Sequence, residues 1–314
     1  MKKLLLLLLL AGAFPCPAQP APKSPDEGTK EKAPETVTVL HDVVIGTGGG
    51  RPLLAEIAYP KNPTKQPMPA VLWIHGGGWS KGSHKKNNAQ WLAEQGYFTA
   101  SIEYRLSGEA VWPAQIEDCK LAVRWLRANA EKYHINPDRI GVWGYSAGGH
   151  LVACLGTMGD EARFEGRGGY EGVSSRVQAV VDYSGPVDFT AGSAGIQKNI
   201  AKPPDYESPG LLGLFASSFK DKPEVWKDGS PILYVKAGAP PFLIVHGDKD
   251  EVVPYEQSVK FEAALKKAGV PAELLTVRGG SHGMRARKGE PPAVPDSTAL
   301  NAAVLAFLDK TLKN

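Results

Sequence analysis

Gly144-Tyr145-Ser146-Ala147-Gly148 places a serine where an apolar run, Arg139–Trp143, gives way to a helical pattern, Gly149–Gly156. A serine on a tight strand-to-helix turn holds its hydroxyl clear of the backbone, and glycines on either side leave room for the strained turn. The start of the helix beneath it favours negative charge nearby. This is the setting of a nucleophile that attacks a carbonyl carbon, with Ser146 as the candidate. A glycine-rich connection with an incidental serine would share the five letters but not these flanks.

Attack on a carbonyl leaves a tetrahedral intermediate with a negative oxygen. Fixed N–H donors aimed at that oxygen are worth about 3–4 kcal/mol each. His75-Gly76-Gly77-Gly78-Trp79 follows the apolar run Ala70–Ile74 and can supply them. Consecutive glycines let the backbone turn its amides inward without side-chain obstruction. Gly77 and Gly78 are the expected donors, with Gly76 as a further candidate, and the amide of Ala147 should complete the hole. A phosphate-binding turn is the competing reading, but no Lys-Ser or Lys-Thr pair follows. His75 reads as a brace for this loop rather than as a base.

A serine hydroxyl needs a general base, and the base needs an acid to orient it. His282 lies in Gly279-Gly280-Ser281-His282-Gly283, just after the apolar run Glu273–Val277, and is the last histidine of the chain. Asp250 lies in His246-Gly247-Asp248-Lys249-Asp250, just after Pro241–Val245. Rivals are Asp248 for the acid and His246 for the base. Asp250 is favoured because its loop ends in Val252-Val253-Pro254 and should project it toward the histidine. Asp248 then reads as a turn residue bonding its own backbone. His134 and His150 fall on helical patterns and read as structural.

Trp79 and Tyr145 are expected to line the substrate pocket, where aromatic faces suit sugar or phenolic rings. Trp91 and Trp112 are equally well explained by core packing. Residues 284–295 follow the base directly and could form one wall.

The elements that must position these residues can be read from periodicity. Thr36–Ile45 and Leu53–Tyr59 read as opening strands joined as a hairpin through Gly46–Gly50. Ala70–His75, Tyr97–Ile102, Arg139–Gly144, Gln178–Tyr183, Pro241–His246 and Glu273–Val277 read as further strands. Helical spacing links Ile116, Cys119, Val123, Leu126 and Ala130, then Phe261, Ala264, Leu265 and Ala268, and finally Leu300, Ala303, Val304, Phe307, Leu308 and Thr311. Asp296 or Ser297 should cap the last of these. Strands alternating with helices predict an α/β fold with a mostly parallel central sheet of about eight strands and helices on both faces. Sites in such sheets lie at the carboxyl ends of strands, where all the motifs above fall. Residues 190–230 break the alternation and suit either a cap inserted over the site or a plain surface excursion.

Lys2 and Lys3 followed by the unbroken apolar run Leu4–Leu10 and then small residues read as a cleaved export signal over residues 1–18. The apolar stretch is too short to span a bilayer comfortably, so no membrane span is expected after its removal. Residues 19–35 are rich in Pro, Lys and Glu and read as a flexible linker, which leaves 36–314 as one catalytic domain. A secreted or periplasmic location follows. The formal net charge of +3 includes the two leader lysines, and no long basic block exists, so nucleic acid is not an expected partner. Beyond the leader, Cys119 and Cys154 read as two buried unpaired thiols, although the compartment would permit a bridge. No Cys/His cluster has metal-ligand spacing, so neither a metal nor a cofactor is expected.

Taken together, HGGGW at 75–79, GYSAGG at 144–149, GDKDEVVP at 247–254 and SHG at 281–283 resemble the α/β-hydrolase esterase/lipase family related to hormone-sensitive lipase. EYRL at 103–106, WPAQ at 112–115, Asp118, AVRWLR at 122–127 and Ser230-Pro231 resemble its bacterial carbohydrate or feruloyl esterase branch. The resemblance runs over residues 36–312 and is specific for fold and triad, less so for substrate. It implies an α/β-hydrolase fold with Ser146, Asp250 and His282 as nucleophile, acid and base. It further implies hydrolysis of short-chain acyl esters through an acyl-enzyme. Together with export, it suggests acetyl or feruloyl esters of plant polysaccharide. A serine peptidase or amidase on the same scaffold, including one similar to kynurenine formamidase, is the alternative, and a binding module that has kept the fold is a third reading.

Overall fold

Alternation along the strands sorts their side chains into two apolar layers, one on each face of the sheet. In β3 (Met68–Ile74), Met68, Ala70, Leu72 and Ile74 enter one layer, while Val71 and Trp73 enter the other. A strand buried on both faces has no polar side to show, which is why these runs read as continuously apolar. The computed structural model describes residues 35–192 and 208–313. The expected export signal, and all of the expected linker but Glu35, lie outside the described residues.

The described chain forms β1 (Val37–Gly48), β2 (Arg51–Pro60), β3, β4 (Phe98–Ile102), β5 (Ile135–Tyr145), β6 (Ala179–Tyr183), β7 (Phe242–Gly247) and β8 (Ala272–Val277). They make one sheet in the order β1-β2-β4-β3-β5-β6-β7-β8. β2 runs antiparallel to both β1 and β4; from β4 through β8 every pairing is parallel. The expected opening hairpin is present. Its turn is Gly49-Gly50, with φ of 60° and 83°, values that favour glycine at both turn positions.

The helices are α1 (Ala114–Ala128), α2 (Ala130–Tyr133), α3 (Ala147–Thr157), α4 (Pro209–Phe215), α5 (Pro223–Asp228), α6 (Glu256–Lys267) and α7 (Ser297–Leu312). The first layer joins α1, α3 and α6 to the sheet through residues such as Ile116, Leu151 and Phe261. The second joins α7 through Leu300, Val304, Leu308 and Leu312. Each such side chain is worth about 1.5–3 kcal/mol on burial. Asp296 is the cap of α7 and accepts from the amide of Ala299 at 2.9 Å. α1 is buried nearly all round rather than on one stripe. Its Lys120 and Arg124 are held by Glu165 at 2.9 and 2.7 Å. Paired cations of this kind are what make such burial tolerable.

His75, Ser146, Asp250 and His282 follow the carboxyl ends of β3, β5, β7 and β8, so the parallel register carries all four to one edge of the sheet. His134 does not continue a helix as its pattern suggested. It sits just past α2 in the left-handed conformation, φ 55°, and leads directly into β5.

Candidate active site

Ser146 stands between β5 and α3 with φ 57° and ψ −118°, a region that costs about 1–3 kcal/mol for a residue with a side chain. The surroundings hold it there. Its amide donates to Tyr183 O on β6 at 2.8 Å, and its carbonyl accepts from His150 in the first turn of α3 at 3.0 Å. Close packing allows only glycine two residues on: a Cβ at Gly148 would lie 2.0 Å from Ile74 O.

The expected base and acid meet this serine in one hydrogen-bonded line. His282 Nε2 lies 2.9 Å from Ser146 Oγ, and His282 Nδ1 lies 2.7 Å from Asp250 Oδ2. With a carboxylate on one side, Nδ1 carries the hydrogen and Nε2 is left to accept from the serine. Asp250 Oδ1 accepts the amides of Val252 and Val253 at 2.7 and 2.8 Å. Burial by itself would raise the Asp250 carboxyl, but hydrogen bonds from His246 and His282 outweigh it and hold the group well below the ordinary carboxylate range. It is therefore an anion at neutral pH.

Asp248, the rival acid, faces elsewhere. Its Oδ1 accepts the amide of Gly279 at 2.7 Å. It therefore ties the loop after β7 to the loop after β8, instead of bonding its own turn. His246, the rival base, is fully buried beneath Asp250, with its Nε2 3.1 Å from Asp250 Oδ2.

The glycine loop sits against the serine turn. A Cβ at Gly76 would lie 2.7 Å from Tyr145 O and 3.2 Å from Ser146 Cβ. Gly77 has φ 112°, and its carbonyl turns away to accept the amides of Ser80 and Lys81, each at 3.2 Å. Among the described residues, the amides of Gly77, Gly78 and Ala147 donate to no backbone carbonyl. His75 braces the loop: its Nδ1 donates to Gly76 O at 2.7 Å, its ring stacks on Tyr104, and burial lowers its pKa.

The two expected pocket aromatics differ. Trp79 is 5 % exposed, and its indole N–H donates to His150 Nδ1 at 3.1 Å. Its ring is committed to the interior, against His150 and Phe189. Tyr145 is half-buried and braces His282: its hydroxyl donates to His282 O at 3.1 Å, with the rings 5.0 Å apart. Trp91, partly buried, packs on Trp143, and the buried indole of Trp112 donates to Asp228, so both pack against the core. His150 is held neutral, as burial pushes its pKa down to about 4.

Of residues 190–230, 193–207 lie outside the described residues. The remainder forms α4 and α5, and α4 abuts the glycine loop: a Cβ at Gly210 would stand 3.2 Å from Gly78 O. Residues 284–295 strap the other side. Arg285 O accepts both the amide and the hydroxyl of Ser281, at 2.9 and 2.7 Å. Arg287 bonds Lys249 O at 3.1 Å and Glu251 at 3.3 Å. Below the serine turn, Asp182 is buried between Gly149 and Gly185, and burial raises its carboxyl to about 7 even though Gly185 donates to it at 2.9 Å.

Sequence reasoning missed the brace from Tyr145 to the base loop, the contact of α4 with Gly78 and the bond from His246 to Asp250. Only the last left a signal, a histidine four residues before the acid. Cys119 and Cys154 are both free and buried. No group of three or more His, Cys, Asp or Glu among the described residues could hold a metal ion, and no described helix is long and apolar enough to cross a membrane.

The chain matches the BD-FAE family over residues 55–265 and the TAP-like protein family over residues 222–311. It is 33 % identical over 232 residues to esterase LipQ of Mycobacterium tuberculosis, covering 73 % of this chain and 53 % of that protein. The chain spans about half the length of the curated relatives it matches. Among solved structures it is similar to a truncated carbohydrate esterase from gut microbiota, with TM-score 0.74 and 32 % identity over 87 % of this chain and 96 % of that one. It is also similar to esterase 2 of Thermogutta terrifontis phosphonylated by sarin, with TM-score 0.67 and 25 % identity over 89 % of this chain and 94 % of that one.

Proposed function

The chain belongs to the BD-FAE family of α/β-hydrolase esterases, and from that premise we propose that it is an exported serine carboxylesterase that hydrolyses short-chain acyl esters through an acyl-enzyme. The observation that carries the reading is the line from Ser146 Oγ through His282 to Asp250, with contacts of 2.9 and 2.7 Å. His282 Nε2 takes the serine proton as Oγ attacks the ester carbonyl carbon. The negative oxygen falls to the amides of Gly77, Gly78 and Ala147, with Gly76 beside them. His282 then returns the proton to the leaving alcohol, and the acyl group stays on Ser146. Water, deprotonated by the same imidazole, attacks the acyl carbon; the bond to Oγ breaks, the imidazolium returns the proton to Ser146, and the acid leaves. Asp250 remains an anion throughout and stabilises the imidazolium that forms in each half-reaction.

The proposed substrates are acetyl or feruloyl esters of plant polysaccharide. Two observations support this class: likeness to a carbohydrate esterase and the export pattern of residues 1–18. α4 against Gly78 would serve as one wall of the acyl pocket, and a wall so close to the oxyanion site suits short chains. The test is an ester panel from acetate to octanoate with methyl ferulate and acetylated xylan, run beside Ser146→Ala. The reading expects the highest kcat/KM at two to four acyl carbons, release of acetate or ferulate, and no turnover by the variant. Near wild-type turnover by Ser146→Ala would overturn the nucleophile; a preference for octanoate would overturn the substrate class.

A further inference from the structure

We propose that His246 is a positioning residue of this site: it holds the Val253 carbonyl and sets its Nε2–H group against Asp250 Oδ2, and so fixes the carboxylate that orients His282. The proposal rests on the esterase reading above, and its test separates the two.

His246 is the penultimate residue of β7 and is fully buried. Its Nε2 lies 3.1 Å from Asp250 Oδ2 and 3.0 Å from Val253 O. A carboxylate and a carbonyl both accept, so Nε2 must carry a hydrogen. Its Nδ1 lies 2.6 Å from Ser258 Oγ on α6. The Ser258 hydroxyl can donate to that nitrogen, which fixes the tautomer that carries its hydrogen on Nε2. The imidazole is thus clamped between α6 and the acid loop, its Nε2 hydrogen bonded to Val253 O with Asp250 Oδ2 alongside.

The effect on Asp250 follows from counting donors. Oδ1 accepts two amides, from Val252 and Val253, while Oδ2 accepts from the imidazole of His282 and has His246 Nε2 beside it at 3.1 Å. The side chain has no exposed surface, so water cannot replace a lost donor. Without His246, Oδ2 would be held by His282 alone, the residue it is meant to orient. His246 also holds Val253 O, so the same ring secures the loop that feeds Oδ1. A carboxylate fixed from three directions keeps the fourth, toward His282 Nδ1, in register with Ser146. Small misplacements of such a relay are expensive, with an ångström costing as much as about 100-fold in rate.

The discriminating pair is His246→Gln and His246→Asn. Gln places an amide nitrogen where imidazole Nε2 was, toward Asp250. Asn places one where Nδ1 was, toward Ser258. The two are alike in polarity and differ in which neighbour they reach. Both are assayed with 4-nitrophenyl acetate, beside His246→Leu and Ser146→Ala, with thermal melts to confirm folding. The expected result is that Asn and Leu lower kcat about 10–100-fold with KM within about twofold, while Gln stays within about fivefold of wild type. A structural role alone would lower the melting point without this split between Gln and Asn. Equal kcat for Gln and Asn, in variants that remain folded, would overturn the proposal. Should Leu fail to fold, the Gln and Asn comparison still decides. Full activity in Ser146→Ala would sink the esterase reading; an inactive Ser146→Ala with indifferent His246 variants sinks only this one.

Discussion

Replacing Asp250 by Asn should disable the base without removing it. The two oxygens of Asp250 face four N–H donors: the amides of Val252 and Val253 at 2.7 and 2.8 Å, and the imidazoles of His282 and His246 at 2.7 and 3.1 Å. Asn has one oxygen. Kept toward the two amides, it leaves an NH2 group facing His282 Nδ1. That contact is tolerable only if Nδ1 gives up its hydrogen and accepts, which moves the hydrogen to Nε2. Nε2 then points a donor at Ser146 Oγ, 2.9 Å away, and can no longer take the serine proton. The loss of the correct tautomer is worth about 10⁴ in kcat, or about 5.5 kcal/mol of transition-state stabilisation. Asp248→Asn is the control. Its oxygen can still accept the amide of Gly279, now at 2.7 Å, so activity should stay within about threefold. The assay is kcat/KM for 4-nitrophenyl acetate at pH 7.5. The reasoning is refuted if Asp250→Asn keeps more than a tenth of wild-type activity, or if the Asp248 variant is the one that collapses.

Two further predictions concern the frame of the site. Asp182→Asn should change how stability depends on pH: the folded carboxyl is raised from 3.8 to about 7, so between those values the folded state binds more protons than the unfolded one. Wild-type stability should therefore fall relative to the variant as pH rises through that window, by up to about 1.4 kcal/mol per unit. Denaturant melts at pH 4.5 and 8 check it; a constant difference would refute it. Gly76→Ala should keep the protein folded but lower kcat about 100-fold, a loss comparable to that of one oxyanion donor. A Cβ there meets Tyr145 O at 2.7 Å and Ser146 Cβ at 3.2 Å, so the loop must shift; kcat within threefold of wild type would contradict this.

What could be read from the sequence was local or periodic. β3 and β7 were legible because all of their side chains are buried, and a nearly unbroken apolar run ending in His-Gly has few other readings. The α/β class with a mostly parallel sheet followed from eight strand-like runs and the helical patterns between them, and the α/β-hydrolase fold from the resemblance of the motifs. β5 was read too short because Asn136-Pro137-Asp138 has the composition of a turn, yet it lies within Ile135–Tyr145. Its pairing with β3 is irregular between Met68 and Ala70, which accommodates the proline. α4 and α5 were missed because six or seven residues with prolines and glycines carry no helical periodicity; α4 is held through Leu211, Leu214 and Phe215.

At the site, motif residues could be named, but not what lies between the motifs. Ser146, Asp250 and His282 each carry a flanking pattern. The bond from Asp248 to Gly279 joins two loops whose approach only the sheet order dictates. Trp79 looked like a pocket wall because it ends the glycine motif. Its neighbour His150, 71 residues away, draws the indole inward, and nothing local to either residue announces that.

The most direct measurement of the central claim is the position of a covalent adduct. Incubating the protein with a fluorophosphonate, digesting it and reading the peptides by mass spectrometry should give one adduct, on Ser146, formed in step with the loss of ester hydrolysis. The same treatment of His282→Ala should be slower by about 10³-fold or more. An adduct on another residue, with Ser146 unmodified in fully inactivated protein, would contradict the account.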